Sequence, residues 1–315
     1  MDLIRYVPDA PHSTWAGDYW LAEVKPRTTL PGLHALELED CSGWREVLYR
    51  APLDLGGHPL PPKPCQKVRV VVTQAQASHG GWFDRVDALE PAPEASSLRL
   101  VPSRCCPEPD ALLRLYELLA QEISRPALQL FLHRVFGDEH LTGAFITLPA
   151  SRDCHHVEAG GLLVHSLDVV EQMALLTTRC EPLVRECLLV VALFHDLGKV
   201  ACRVLDGTPY WAREHPLMNK MLLEGALAEL RWKDTTAWSL IHFGLDVIAG
   251  SVDGGRIPEV ELLRTLDRVS AATDTRRRAV GLAKGRQRVV ALQPANGGPR
   301  RVFFQPLAST RKPAP

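Results

Sequence analysis

The segment VVALFHDLGKV, residues 190 to 200, is apolar until it ends in His195-Asp196, followed closely by Gly198 and Lys199. The run from Leu183 to Phe194 is apolar on nearly every face and predicts a central buried helix. A charge at the end of such a helix must be paired or bound to a metal, because isolating it from water is costly. Gly198 suits the left-handed position that ends a helix, which would open the His-Asp pair into a cavity. Further candidate ligands fall on neighbouring segments: His165 in GLLVHSLDVV, His215 after YWARE, His242 at the end of WSLIHF, and Asp267 in LLRTLDRVSA. A lone histidine on an apolar helix is more often a satisfied core residue than a ligand. The order His, His-Asp, His, His, Asp, each on its own predicted helix, weighs against that plain explanation. Imidazole together with carboxylate favours a first-row divalent ion (Mn, Fe, Co, Ni or Zn) over Ca or Mg alone.

These residues need helices to hold them, and helical periodicity begins near Pro109 with PDALLRLYELLAQEIS. Further helices are predicted around QLFLHRVF, GLLVHSLDVVEQMALL, LVRECLLVVALFHDL, PLMNKMLLEGALAEL, TTAWSLIHF and EVELLRTLDRVSAAT. Residues 1 to 93 follow a different pattern. WLAEV, LHALELED, REVLYRA and KVRVVVTQAQ are short alternating or β-branched runs separated by Pro, Gly and Ser clusters, which predicts a small barrel. Within LHALELEDCSGWREVLYRA, Ser42-Gly43 turns the chain as in a hairpin. Residues 94–108, opening near PAPEASS, are expected as a linker. RQRVVALQP and RRVFFQPL, bridged by ANGGP, suggest a terminal hairpin.

Composition bounds the remaining classes. A chain of 315 residues is long enough for two cores, and no apolar run approaches the roughly 20 residues that span a bilayer. No signal-like stretch opens the chain, so a cytoplasmic protein with no membrane partner is expected. Eight scattered cysteines without a CxxC pair fit reduced thiols. The net charge of −1 conceals an asymmetry: Thr275 to Pro315 holds ten Lys or Arg and no acid, leaving 26 basic against 37 acidic residues elsewhere, a net of −11. Such a basic tail either attracts a polyanion, nucleic acid first, or is a solvated extension.

The order His165, His195-Asp196, Asp267, with the signature HDLGK, resembles the HD-domain metal-dependent phosphohydrolase superfamily over roughly Pro149 to Asp274. The stretch LPASRDCHHVEAGGLLVHSLDV adds Pro149-Ala150, the doublet His155-His156, Gly160-Gly161 and His165. It is similar to two branches: bacterial 3′-to-5′ exoribonucleases that join an OB-fold to an HD domain, and the HD-type (MobH) conjugative relaxase family. The implied fold class is multidomain β + α, with an N-terminal OB-like β-barrel (1–93), an all-α HD domain (109–275) and a basic C-terminal tail (276–315).

The resemblance implies one metal on His165, His195, Asp196 and Asp267, and a second on Asp196, His215 and His242. One or two divalent transition metal ions are expected, Mn first, with Asp196 as the bridging, catalytic carboxylate. Lys199 either neutralises a phosphate oxygen or is a solvated helix-end lysine. His155 or His156 is placed to bind phosphate or protonate the leaving oxygen, with His156 favoured by the resemblance. Gly160 and Gly161 either bring amides to a phosphate or permit close packing. Arg213 and Lys220, near His215, are weaker candidates for holding a strand. In the barrel, Trp15, Tyr19, Trp20, Trp44, Trp82 and Phe83 could stack bases, although half or more of them should fill the core. The expected function is hydrolysis of single-stranded RNA or DNA by a nuclease or phosphodiesterase, acting 3′ to 5′. Alternatives are an HD-type relaxase or DNA-processing protein of a mobile element, and a small-nucleotide phosphohydrolase. A homo-oligomer or a mobile-element DNA-processing complex are the further partners.

Overall fold

In a computed structural model of the chain, the described residues are 14–27, 32–55, 57, 59–76, 81–93, 98–204, 215–283, 287–294 and 298–304. Five strands come first: β1 (Thr14–Pro26), β2 (Leu33–Asp40), β3 (Gly43–Arg50), β4 (Gln66–Gln76) and β5 (Trp82–Pro91). They close into a barrel in the order β1-β2-β3-β5-β4, antiparallel except where β3 meets β5. β1 is long enough to serve two neighbours. Thr14 to Leu21 pair with β4 and Trp20 to Pro26 with β2, and a register shift between Leu21 and Glu23 lets the strand bend. Val68, Val70 and Val72 point inward with strand alternation and meet Leu21, Leu36, Leu38 and Val47 in the barrel core. β5 is not singled out by the sequence pattern, because Asp84, Asp87 and Glu90 dilute it; pairing with β4 recruits it.

Among the barrel aromatics, Tyr19 lies in the core and Trp15 packs edge-on against it at 5.6 Å between centroids. The Arg45 guanidinium covers Trp15 at 4.6 Å. Trp44 and Trp82 remain exposed.

The expected linker is more ordered than its composition suggests. Leu98 and Leu100 are buried, Leu100 packs with Ala92, and the Cys41 amide donates to the Arg99 carbonyl at 2.8 Å. Two compact units result: one runs through the barrel to Glu117 and takes back Leu132–Thr142, and the other holds Leu118–Phe131 and everything from Gly143 onward. Helices α1 (Pro109–Glu122), α2 (Pro126–Phe136) and α3 (Glu139–Thr147) are each divided between the units.

The second unit is built on α4 (Gly161–Leu176), α5 (Pro182–Phe194), α6 (Gly198–Val204), α7 (His215–Lys233), α8 (Thr235–Ile248) and α9 (Glu259–Leu282). Helix α5 starts with Glu181 capping the Val184 amide at 2.9 Å and Pro182 in the first turn. Every residue from Glu186 to Phe194 is buried, as its apolar run predicts. Glu186 is tolerated there because it accepts from the Ser124 hydroxyl and from the Ser124 and Arg125 amides, at 2.9 to 3.2 Å. Helix α8 approaches α5 so closely that a Cβ on Gly244 would sit 2.8 Å from a Val191 methyl.

The C-terminal part departs from the expected extension at 276–315. Helix α9 continues to Leu282, where Arg277 pairs with Asp274 and Arg278 donates to the Cys154 carbonyl at 2.8 Å. The terminal hairpin is present as β6 (Val289–Leu292) and β7 (Arg301–Phe304), and its Val290 and Leu292 pack on Ala279. Lys284, Arg286, Arg311 and Lys312 of the basic tail lie outside the described residues. All eight cysteines are free, and no described helix is long and apolar enough to cross a membrane.

Gly198 is not left-handed. It opens α6, and what demands glycine is packing, since a Cβ would lie 1.8 Å from the His215 carbonyl oxygen at the start of α7. Gly198→Ala should therefore lower stability by about 1–3 kcal/mol. A urea titration would register this as a lower midpoint with an unchanged slope.

Candidate metal centre

The first ligand position is set by a glycine turn. Gly160 takes a left-handed conformation (φ +79°) ahead of α4, and a Cβ on Gly161 would lie 2.1 Å from the His156 carbonyl oxygen. The amides of Gly160, Gly161 and Leu162 donate to the carbonyls of Thr147, Glu158 and Leu148 at 2.9 to 3.0 Å. Of the two readings of this glycine pair, the geometry gives it close packing, because those amides are already engaged. The turn starts α4, which carries His165 fully buried in its second turn.

His165, His195, Asp196 and Asp267 converge from α4, the end of α5 and α9, with one ligand atom each within 4.8 Å of the others. His165 Nε2 lies 3.1 Å from Asp267 Oδ1, 3.3 Å from Asp196 Oδ2 and 3.2 Å from His195 Nε2. His195 Nδ1 donates to the Ala192 carbonyl at 2.7 Å, so Nε2 is the ring nitrogen that faces the cluster. Two imidazole nitrogens and two carboxylates turned toward one point are a donor set that a cation satisfies. This group could hold a divalent metal ion, and its nitrogen and oxygen atoms suit a borderline transition ion.

Charge in the cluster is strongly coupled. Burial opposes ionisation of Asp196, yet Lys199, His195 and hydrogen bonds from His165 and His215 outweigh it and hold the carboxyl well below its ordinary value. Burial likewise opposes ionisation of Asp267, and its hydrogen bonds to His165 and His195 overcome that cost, so it too is held low. Burial alone would keep the His165 ring neutral. The hydrogen bonds to Asp196 and Asp267 prevail and raise it to about 9.

A second layer of polar side chains, which no sequence motif announces, braces these ligands. Ser270 Oγ lies 3.1 Å from His165 Nδ1, 3.4 Å from His156 Nε2 and 3.3 Å from Asp168 Oδ2. Asp274 accepts from the His156 amide at 2.7 Å, which steadies a residue whose φ is +42°. Asn219, fully buried, accepts from the Gly198 amide at 2.6 Å while its own amide donates to the His195 carbonyl, so α7 clamps the turn that carries the ligands. The available signal was spacing: Asp168 stands one turn after His165, Ser270 one turn after Asp267, and Asn219 one turn after His215.

His156 therefore stands behind His165, and burial lowers its ring pKa. Burial, then the charge of Lys199, takes the neighbouring His155 down to about 3, and its buried Nδ1 has no hydrogen-bond partner among the described residues. Burial thus favours the neutral form of both rings.

The remaining expected residues divide. Lys199 Nζ contacts Asp196 Oδ2 directly, and His215 Nε2 lies 3.1 Å from Asp196 Oδ1. His242 instead pairs through Nδ1 with Asp246 at 3.1 Å, and Lys220 holds the other oxygen of Asp246. Among the described residues, His242 is not part of the four-residue group, so the expected second set of Asp196, His215 and His242 is only partly assembled. Arg213 lies outside the described residues. No family model matches the chain, and no curated protein matches it.

Ser270→Ala should weaken Mn²⁺ binding by about 10- to 100-fold, measured by metal titration, because it frees the His165 ring to rotate. The raised His165 contributes stability to the metal-free protein that is fully present below its ordinary value of 6.5 and lost as pH rises through about 9. The thermal midpoint in chelator should fall across that interval. Mn²⁺ affinity should rise across it, since ligand rings must be neutral.

Proposed function

We propose that the chain is an HD-type metal-dependent phosphodiesterase that hydrolyses single-stranded nucleic acid. The observation that carries the reading is the buried group His165, His195, Asp196 and Asp267, with Lys199 and His215 on the two oxygens of Asp196. A divalent ion held by those four residues would supply Lewis-acid polarisation of a phosphoryl oxygen and acidify a water. Asp196 is held ionised, as a ligand shared between two ions must be. Lys199, on Asp196, offers the positive charge that a nonbridging phosphate oxygen requires. His156 and Ser270 keep the His165 ring oriented.

The closed five-stranded barrel supports an OB-like assignment for the first unit. Its exposed Trp44 and Trp82 supply aromatic faces on which unpaired bases stack.

The test is incubation of the full chain with 5′-labelled single-stranded RNA and DNA in Mn²⁺. The wild type should shorten one of them progressively from the 3′ end, and Asp196→Ala should be slower by at least about 100-fold. One discrete cut would replace the exonuclease with a relaxase-like activity. Metal binding with neither strand cut would reject the nuclease and turn attention to small nucleotides.

A further inference from the structure

Helix α7 begins at His215, beside Asp196, and carries an exposed row away from it. Leu217 and Met221 are half-exposed, and Trp232, at 91 % exposure, leaves almost its whole indole in water. Between α7 and α8 lies a cleft of about 850 Å³ whose lining includes Lys220, Met221, Arg231, Trp232, Trp238 and His242. It spans about 18 Å along α7 from Lys220 to Trp232, at 1.5 Å per residue. The Arg231 guanidinium stacks over Trp238 at 4.9 Å, and the His242 ring lies 5.2 Å from the same indole. Core packing does not account for Trp232, because a tryptophan left almost wholly in water contributes little to a core.

We propose that this cleft is a strand-binding groove that guides single-stranded nucleic acid to the metal centre. Trp232 and Trp238 serve as base-stacking platforms, and Lys220 and Arg231 face the phosphates. The proposal rests on the phosphodiesterase reading and names the surface by which that site takes its substrate. Aromatic faces interleaved with cations are the combination that binds single strands irrespective of sequence. Glu224 in the lining and Asp246 beside Lys220 temper the positive charge, so stacking carries most of the affinity. His242 lines the same cleft, tied to Lys220 through Asp246.

The experiment is fluorescence anisotropy of the full chain with labelled oligouridylate and oligothymidylate of roughly 12 nucleotides, in EDTA so that no cleavage intervenes. Trp232→Ala and Trp238→Ala should each weaken binding by about 5- to 100-fold, with Trp232→Phe retaining most of the affinity. Arg231→Ala should reduce the salt slope of log K by about 0.7. Trp232 is exposed, so its replacement leaves the fold intact, which circular dichroism checks. If the wild type binds and cuts a strand while both alanine variants match it within twofold, the groove is overturned and the enzymatic reading stands. A wild type that neither binds nor cuts either strand removes both. Unchanged strand affinity with loss of wild-type self-association would overturn the groove and assign the face to a second copy of the chain.

Discussion

Asp196 places an ionised carboxylate at the end of a helix that is buried all round from Glu186 to Phe194, and much of the second unit answers that constraint. Desolvation opposes the charge, so cations and donors have to be brought to it. Lys199 comes from α6, His165 from α4 and His215 from the first residue of α7. Each arrival imposes its own packing condition. Gly198 lets α6 and α7 touch, Gly161 lets α4 start against the His156 backbone, and Gly244 lets α8 lie against α5. The glycines are best understood as the steric counterpart of the electrostatic requirement.

The polar side chains behind the ligands are economical in the same sense. His195 and His165 each use Nδ1 outward, on the Ala192 carbonyl and the Ser270 hydroxyl, and so present Nε2 to the same point. Asn219 uses both ends of its amide on the intervening turn. A site supported this way holds its donors in place before any ion arrives, which is what tight, selective ligation needs. A metal-holding group of this kind does not by itself select a ligand, so any choice depends on surfaces around the centre rather than on the fold.

Those surfaces have unequal character. The positive charge concentrated after Thr275 does not act as one free tail: Arg277 and Arg278 are committed to Asp274 and to the loop before α4. The aromatic residues divide similarly. Tyr19 and Trp15 serve the barrel interior, whereas Trp44 and Trp82 are partly exposed and Trp232 is almost wholly exposed.

Much of the centre was legible in the linear chain. His195-Asp196 at the end of an apolar run, with His165, His215 and Asp267 each on its own periodic segment, announced a buried charged cluster, because helix period and the cost of burying charge are both local properties. The barrel was legible for the same reason, through the alternation of Val68, Val70 and Val72. What tertiary structure alone decided was which polar residues meet. Ser270, Asp168 and Asn219 look like ordinary helix-surface residues until α9, α4 and α7 pack. The residues from Leu98 onward look like linker until Leu98 and Leu100 are buried, and Gly198 looks like a helix stop until α7 crosses it. Contacts between segments far apart in sequence depend on the directions in which helices pack, and residue types and spacing leave those directions open.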